Sequence, residues 1–154
     1  MKQNKDELII SILIPLTVGS ISALVSGNMS IYPALNKPAL SPPSIVFPIV
    51  WTMLYVLMGI SSYIVYSSSN PNKDFALKVY GLQLFFNFCW SILFFRYNLY
   101  LPAFIWLIGL ILLIILMIKK FYGISPLAAY LQIPYLLWCI FAAYLNFSIF
   151  LMNG

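Results

Sequence analysis

Three helical stripes carry the polar and aromatic side chains that this chain places inside apolar segments. Gln83, Asn87 and Trp90 recur at i, i+4 and i+7. Trp51, Tyr55, Gly59 and Ser62 stand at similar spacing, and so do Tyr135, Trp138, Ala142 and Asn146, just after Pro134. Such spacing puts each set on one helical face. An asparagine amide donates and accepts, whereas an indole only donates. Aromatic faces can stack on a flat partner. Read as chemistry, the stripes describe a closed apolar pocket with aromatic walls, suited to a flat ligand with carbonyl or carboxylate edges. Read as architecture, the same aromatics pack, and Gln83 and Asn87 join helices by hydrogen bonds. The residue types leave both readings open.

Other chemistry is excluded. The chain has no histidine and three acidic residues, Asp6, Glu7 and Asp74, all outside the apolar runs. Proton relays and buried metal sites place Asp, Glu or His inside the membrane, so no metal site is expected. A Ser-His-Asp or Cys-His arrangement is impossible without His. Cys89 and Cys139 each stand alone in an apolar run, as small buried hydrophobes do. The net charge of +5 comes from basic residues scattered over connectors, which argues against nucleic acid as a partner.

The elements that must position the stripes follow from composition. Of 154 residues, 63% are hydrophobic and 7% charged, with mean hydropathy +0.98. No soluble surface can be built from that, so the fold class is an all-α integral membrane protein whose partner is the lipid bilayer. Five apolar runs, about 8–26, 46–66, 76–95, 102–118 and 126–151, each have the length of a membrane span. Short connectors make neighbours antiparallel. The whole chain, 1–154, reads as a single transmembrane domain. The first run could serve as a signal peptide. Asp6 and Glu7 beside it, its length and the lack of an A-x-A site favour a retained helix. Pro15 and Pro48 are expected to kink their helices, and Tyr100, Trp106, Tyr122 and Tyr130 to lie in the interfacial belt.

Between the first two runs stand Pro33, Pro38, Pro42 and Pro43. Each fixes φ, removes a donor and biases the preceding residue away from helix. The segment reads as a stiff cap over an internal pocket. Lys2, Lys5, Lys73, Lys78, Lys119 and Lys120 fall on the N-terminal side of the membrane, and Lys37 and Arg96 on the other. This bias predicts a cytoplasmic N-terminus in a plasma membrane, with the 27–45 loop outside. At 1.5 Å per residue, Asn87, Trp138, Trp90 and Trp51 come to roughly 16, 18, 21 and 22 Å from the inner edge. They converge on one level beneath the cap, with Lys37 and Arg96 at its rim.

The segments L-N-K-P-A-L-S-P-P-S-I-V-F-P-I-V-W-T-M-L-Y-V-L-M-G (35–59), Q-L-F-F-N-F-C-W-S-I-L-F-F (83–95) and S-P-L-A-A-Y-L-Q-I-P-Y-L-L-W-C-I-F-A-A-Y-L-N (125–146) resemble the TspO/MBR family, in the right order along most of the chain. The resemblance implies a five-helix bundle whose first loop closes a pocket for porphyrins and aromatic drug-like ligands. It implies ligand contacts at Trp51, Asn87 and Trp138, loop positions at Tyr32, Pro42 and Pro43, and frequent homodimers. With the stripes, the expected ligand-binding set is Tyr32, Pro42, Pro43, Trp51, Gln83, Asn87, Trp90, Tyr135, Trp138 and Ala142. Ile31 and Leu40 stand where the family has tryptophans, and the family's C-terminal cholesterol motif is missing. Three functions are therefore expected to compete. The first is a receptor or carrier for porphyrin-type tetrapyrroles in a bacterial-type membrane. The second is an enzyme degrading porphyrin with light and oxygen, the porphyrin acting as photosensitiser and Trp51 and Trp138 as the participating pair. The third is a structural or regulatory membrane partner.

Overall fold

The computed structural model describes residues 4–27 and 33–153. Its helices are α1 (Lys5–Ser26), α2 (Val46–Tyr66), α3 (Lys73–Ser91), α4 (Tyr100–Tyr122), α5 (Pro126–Leu131) and α6 (Ile133–Asn153). With α5 and α6 taken as one interrupted span, five segments are long and apolar enough to cross a membrane. The chain is an all-α integral membrane protein.

Local chemistry sets the helix ends. Asn4 is extended, and its Oδ1 accepts from the Asp6 and Glu7 amides at 3.0 and 3.3 Å. This cap starts α1 at Lys5, earlier than hydropathy suggests, and the two acids suit the helix N-terminus. Pro48 does not interrupt α2. It is the third residue of that helix, where a missing N–H costs no helical bond. The α3 helix loosens over Ile92–Arg96, and the Tyr97 amide reaches back five residues to the Ile92 carbonyl at 3.2 Å.

The last run, 126–151, is not one helix. It breaks at Gln132, because Pro134 has no N–H for the Tyr130 carbonyl and its ring crowds that turn. Ser125 caps the short α5 by accepting from the Ala128 amide.

Helix α1 packs on α2 and α3, and α4 packs on α3 and on both parts of the last span. The α1–α2 approach depends on two glycines. A Cβ on Gly59 would collide with the Ile12 backbone, and one on Gly19 would collide with the Tyr55 ring. Ser22 Oγ, buried, donates to the Phe88 carbonyl at 2.8 Å and ties α1 to α3. Trp106 lies flat on Phe86, with centroids 4.2 Å apart, and donates to the Phe86 carbonyl at 2.8 Å. It joins α4 to α3 rather than serving only as an interfacial anchor.

Candidate functional site

The polar residues of the stripes form two hydrogen-bonded groups. In the first, Tyr55 Oη donates to Asn87 Oδ1 at 2.9 Å, Asn87 Nδ2 donates to Tyr135 Oη at 2.9 Å, and Tyr135 Oη donates to Gln83 Oε1 at 2.6 Å. This chain joins α2, α3 and α6 in the buried interior. In the second, Trp90 Nε1 donates to Asn146 Oδ1 at 3.0 Å, and Asn146 Nδ2 donates to the Tyr100 carbonyl at 2.8 Å. Both groups use their amides to connect helices, as the packing reading of the stripes anticipates.

Beside these groups lies a cavity of about 400 Å³. Leu16, Gly19, Ser20 and Ala23 of α1 form one wall. Phe47, Pro48, Trp51, Thr52 and Tyr55 of α2 form the second. Trp90, Ser91, Phe94 and Phe95 close it from α3 and its extension, and Ala142, Leu145, Asn146 and Ile149 from α6. The lining is mostly apolar with a few hydroxyls, which is the usual make-up of a small-molecule site. Trp51 stacks on Tyr55 at 5.6 Å and meets Tyr135 edge-on at 6.2 Å.

The proline-rich segment reaches the cavity at Ser44. It is tied down at its other side, where the Asn36 amide donates to Asn153 Oδ1 at 3.1 Å and Asn153 Nδ2 donates to the Asn36 carbonyl at 2.8 Å. This reciprocal pair fastens the segment to the end of α6. The Pro43 carbonyl accepts from the Val46 amide at 3.0 Å and leads the chain into α2.

The expected site residues therefore separate. Trp51, Trp90 and Ala142 line the cavity. Gln83, Asn87 and Tyr135 do not; they are buried behind Tyr55 in the first hydrogen-bonded group. Trp138 also stands off the wall, with its ring centroid 5.8 Å from that of Phe47 in an edge-on arrangement and its buried Nε1 without a partner among the described residues. Pro42 and Pro43 shape the cap without lining the cavity. Tyr32 lies outside the described residues. The cationic rim is displaced as well. Lys37 Nζ donates to the Pro33 and Leu35 carbonyls, each at 3.2 Å, and Arg96 donates to the Val25 carbonyl at 2.8 Å. Backbone carbonyls left open by prolines and by the end of α1 attract these cations.

Sequence reasoning missed the α1 wall. Leu16, Gly19, Ser20 and Ala23 follow the i, i+3, i+4, i+7 rule, so small residues on one face were the available signal. It also missed Phe47 and the Asn36–Asn153 pair, which no local pattern marks.

The sequence profile of the TspO/MBR family matches residues 11–152. The chain is 36% identical over 150 residues to the tryptophan-rich protein TspO of Archaeoglobus fulgidus, covering 96% of this chain and 97% of that one. It is 34% identical to the tryptophan-rich sensory protein of Cereibacter sphaeroides, over 79% of this chain and 76% of that one. It is 32% identical to the translocator protein of Sus scrofa, over 92% of this chain and 86% of that one. Five apolar spans, a proline-rich segment that reaches an aromatic-walled cavity and a profile match along nearly the whole length agree: the chain belongs to the TspO/MBR family.

Proposed function

We propose that the protein is a membrane receptor or carrier that binds porphyrin-type tetrapyrroles and other flat aromatic ligands in the intramembrane cavity. One observation carries this reading: Trp51 and Trp90 wall a partly open, largely apolar space of about 400 Å³ reached by the proline-rich segment. That volume is at the small end of ligand sites. Two- or three-ring aromatics fit such a volume, and a larger macrocycle enters as the cap or α1 gives way. The first helix is the least enclosed of the five spans. In this reading the N-terminus is cytoplasmic in a bacterial-type plasma membrane, the capped side faces outward, and the protein works as a homodimer.

Titration of the detergent-purified protein with protoporphyrin tests the reading, by tryptophan-fluorescence quenching in the dark and porphyrin absorbance in light. Saturable quenching with stable absorbance supports a receptor or carrier. No quenching at micromolar concentration refutes it and favours a structural role.

A second reading rests on Trp51, an oxidisable indole on the cavity wall. A bound porphyrin could act as photosensitiser beside it, with oxygen as oxidant. Protein-dependent loss of the Soret band in light, slowed by Trp51→Phe, would establish degradation rather than carriage.

A further inference from the structure

At the end of the bundle where α3 begins and α4 ends, the packing of these two helices brings basic and aromatic side chains together. Lys120 Nζ of α4 lies over the Phe75 ring of α3, 5.3 Å from its centroid. Lys78 follows Phe75 by three residues on α3, so those two side chains are neighbours on one helical face. Phe75 therefore borders both ammonium groups. All three side chains are exposed. The same face of α3 continues with Leu82 and Phe85, four and seven residues beyond Lys78 and both exposed. A pair of cations thus stands at the head of an exposed apolar track.

The other charges at this end have roles of their own. Lys73 donates to the Tyr66 carbonyl at 3.1 Å and lies over the Tyr66 ring. Asp74 stands in the first turn of α3, where the helix dipole favours an acid. Among the described residues neither Lys78 nor Lys120 has an ion-pair or hydrogen-bond partner. Lys119 is exposed too, but one residue along a helix is a turn of about 100°, which takes it off the face that carries Lys120. Lys78 stands about 7.5 Å along α3 from Lys73, and its long apolar stem lets the ammonium reach back to the interface.

We propose that Lys78 and Lys120 form a docking site for a phospholipid with a net negative headgroup. Its phosphate lies between the two ammonium groups, and an acyl chain follows Phe75, Leu82 and Phe85. Neighbouring cations repel, and a phosphodiester between them replaces that repulsion with two attractions. Basic side chains between membrane helices are a recurrent setting for anionic headgroups. The apolar track favours a lipid over a free anion, which would use the lysines alone. A zwitterionic headgroup brings its own cation and gains less. The cavity lies between α1, α2, α6 and the opposite end of α3, so this site stands apart from it and from whatever the cavity binds.

The test is titration of the detergent-purified, full-length protein with dioleoylphosphatidylglycerol, with bound lipid counted by native mass spectrometry. Phosphatidylglycerol should bind more tightly than phosphatidylcholine of the same chains. Lys78→Gln and Lys120→Gln should each weaken phosphatidylglycerol about fivefold, and the double variant more than tenfold. Lys119→Gln removes the same charge from the same end of the bundle and should change affinity less than twofold. Equal losses for all three single variants would reduce the effect to overall charge and overturn the proposal, as would equal binding of the two lipids. Displacement of the lipid by millimolar inorganic phosphate would reveal a simple anion site and overturn the assignment to a lipid.

Discussion

The Tyr55 ring lines the cavity while its hydroxyl donates to Asn87 Oδ1 at 2.9 Å. One side chain thus belongs both to the aromatic wall and to the buried polar chain. A ligand that moves the ring disturbs Asn87 without touching it, and the loss of Asn87 frees the ring that a ligand would meet.

Asn87→Leu therefore acts through Tyr55. Both tyrosine hydroxyls lose a partner, and stability falls by about 1–3 kcal/mol. Ligands with a carbonyl and purely apolar ligands of similar size should weaken alike. Paired titrations with the two ligand types, alongside thermal melts, check this. A loss confined to the carbonyl ligand would place Asn87 in direct contact with it.

Trp51 is different, since it stands on the wall itself. Aromatic pairing contributes about 0.5–1.5 kcal/mol beyond burial, so Trp51→Leu should weaken porphyrin binding about 2- to 12-fold. Trp51→Phe should retain most of the affinity. Absorbance titration is the suitable readout, because the substitution alters fluorescence. Unchanged affinity for the leucine variant would place the ligand outside the cavity.

Gly59 sets how closely α1 approaches α2, because a methyl group there meets the Ile12 backbone rather than a movable side chain. Gly59→Ala should cost about 1–3 kcal/mol through overpacking and shift α1 outward. Leu16, Gly19, Ser20 and Ala23 move with it, so ligand affinity changes as well. Gly81 has open space around it, and Gly81→Ala is the matched control that should leave binding unaltered.

Asn153 fastens the cap through two hydrogen bonds to Asn36. Asn153→Ala should loosen residues 33–45 at little cost to the bundle, on the order of 1 kcal/mol. Faster proteolysis within that segment and faster ligand exchange, followed by stopped-flow quenching, are the expected outcomes. Equal rates in both proteins would show that the cap is held by its prolines alone.

Much of the fold was legible because membrane spans are a matter of composition. Twenty or so apolar residues between polar connectors specify a spanning helix wherever they occur, and prolines mark where helical bonding is interrupted. Trp51, Trp90 and Ala142 were legible as wall residues because helical spacing fixes which side chains share a face.

The sequence by itself thus determined the five spans, their alternation and the polar faces of the second, third and fifth. Only the tertiary structure decided which residues on those faces enclose the cavity and which join helices. Asn87 and Trp90 lie one turn apart on α3, yet one is enclosed by two tyrosines and the other borders the cavity. Helix α1 shows the reason most plainly. Lipid and protein interior are both apolar, so its outward-facing Ile9, Leu13 and Leu24 resemble the Leu16 of its inner wall. Hydropathy does not separate two apolar surroundings, and close packing against Gly19 and Gly59 does.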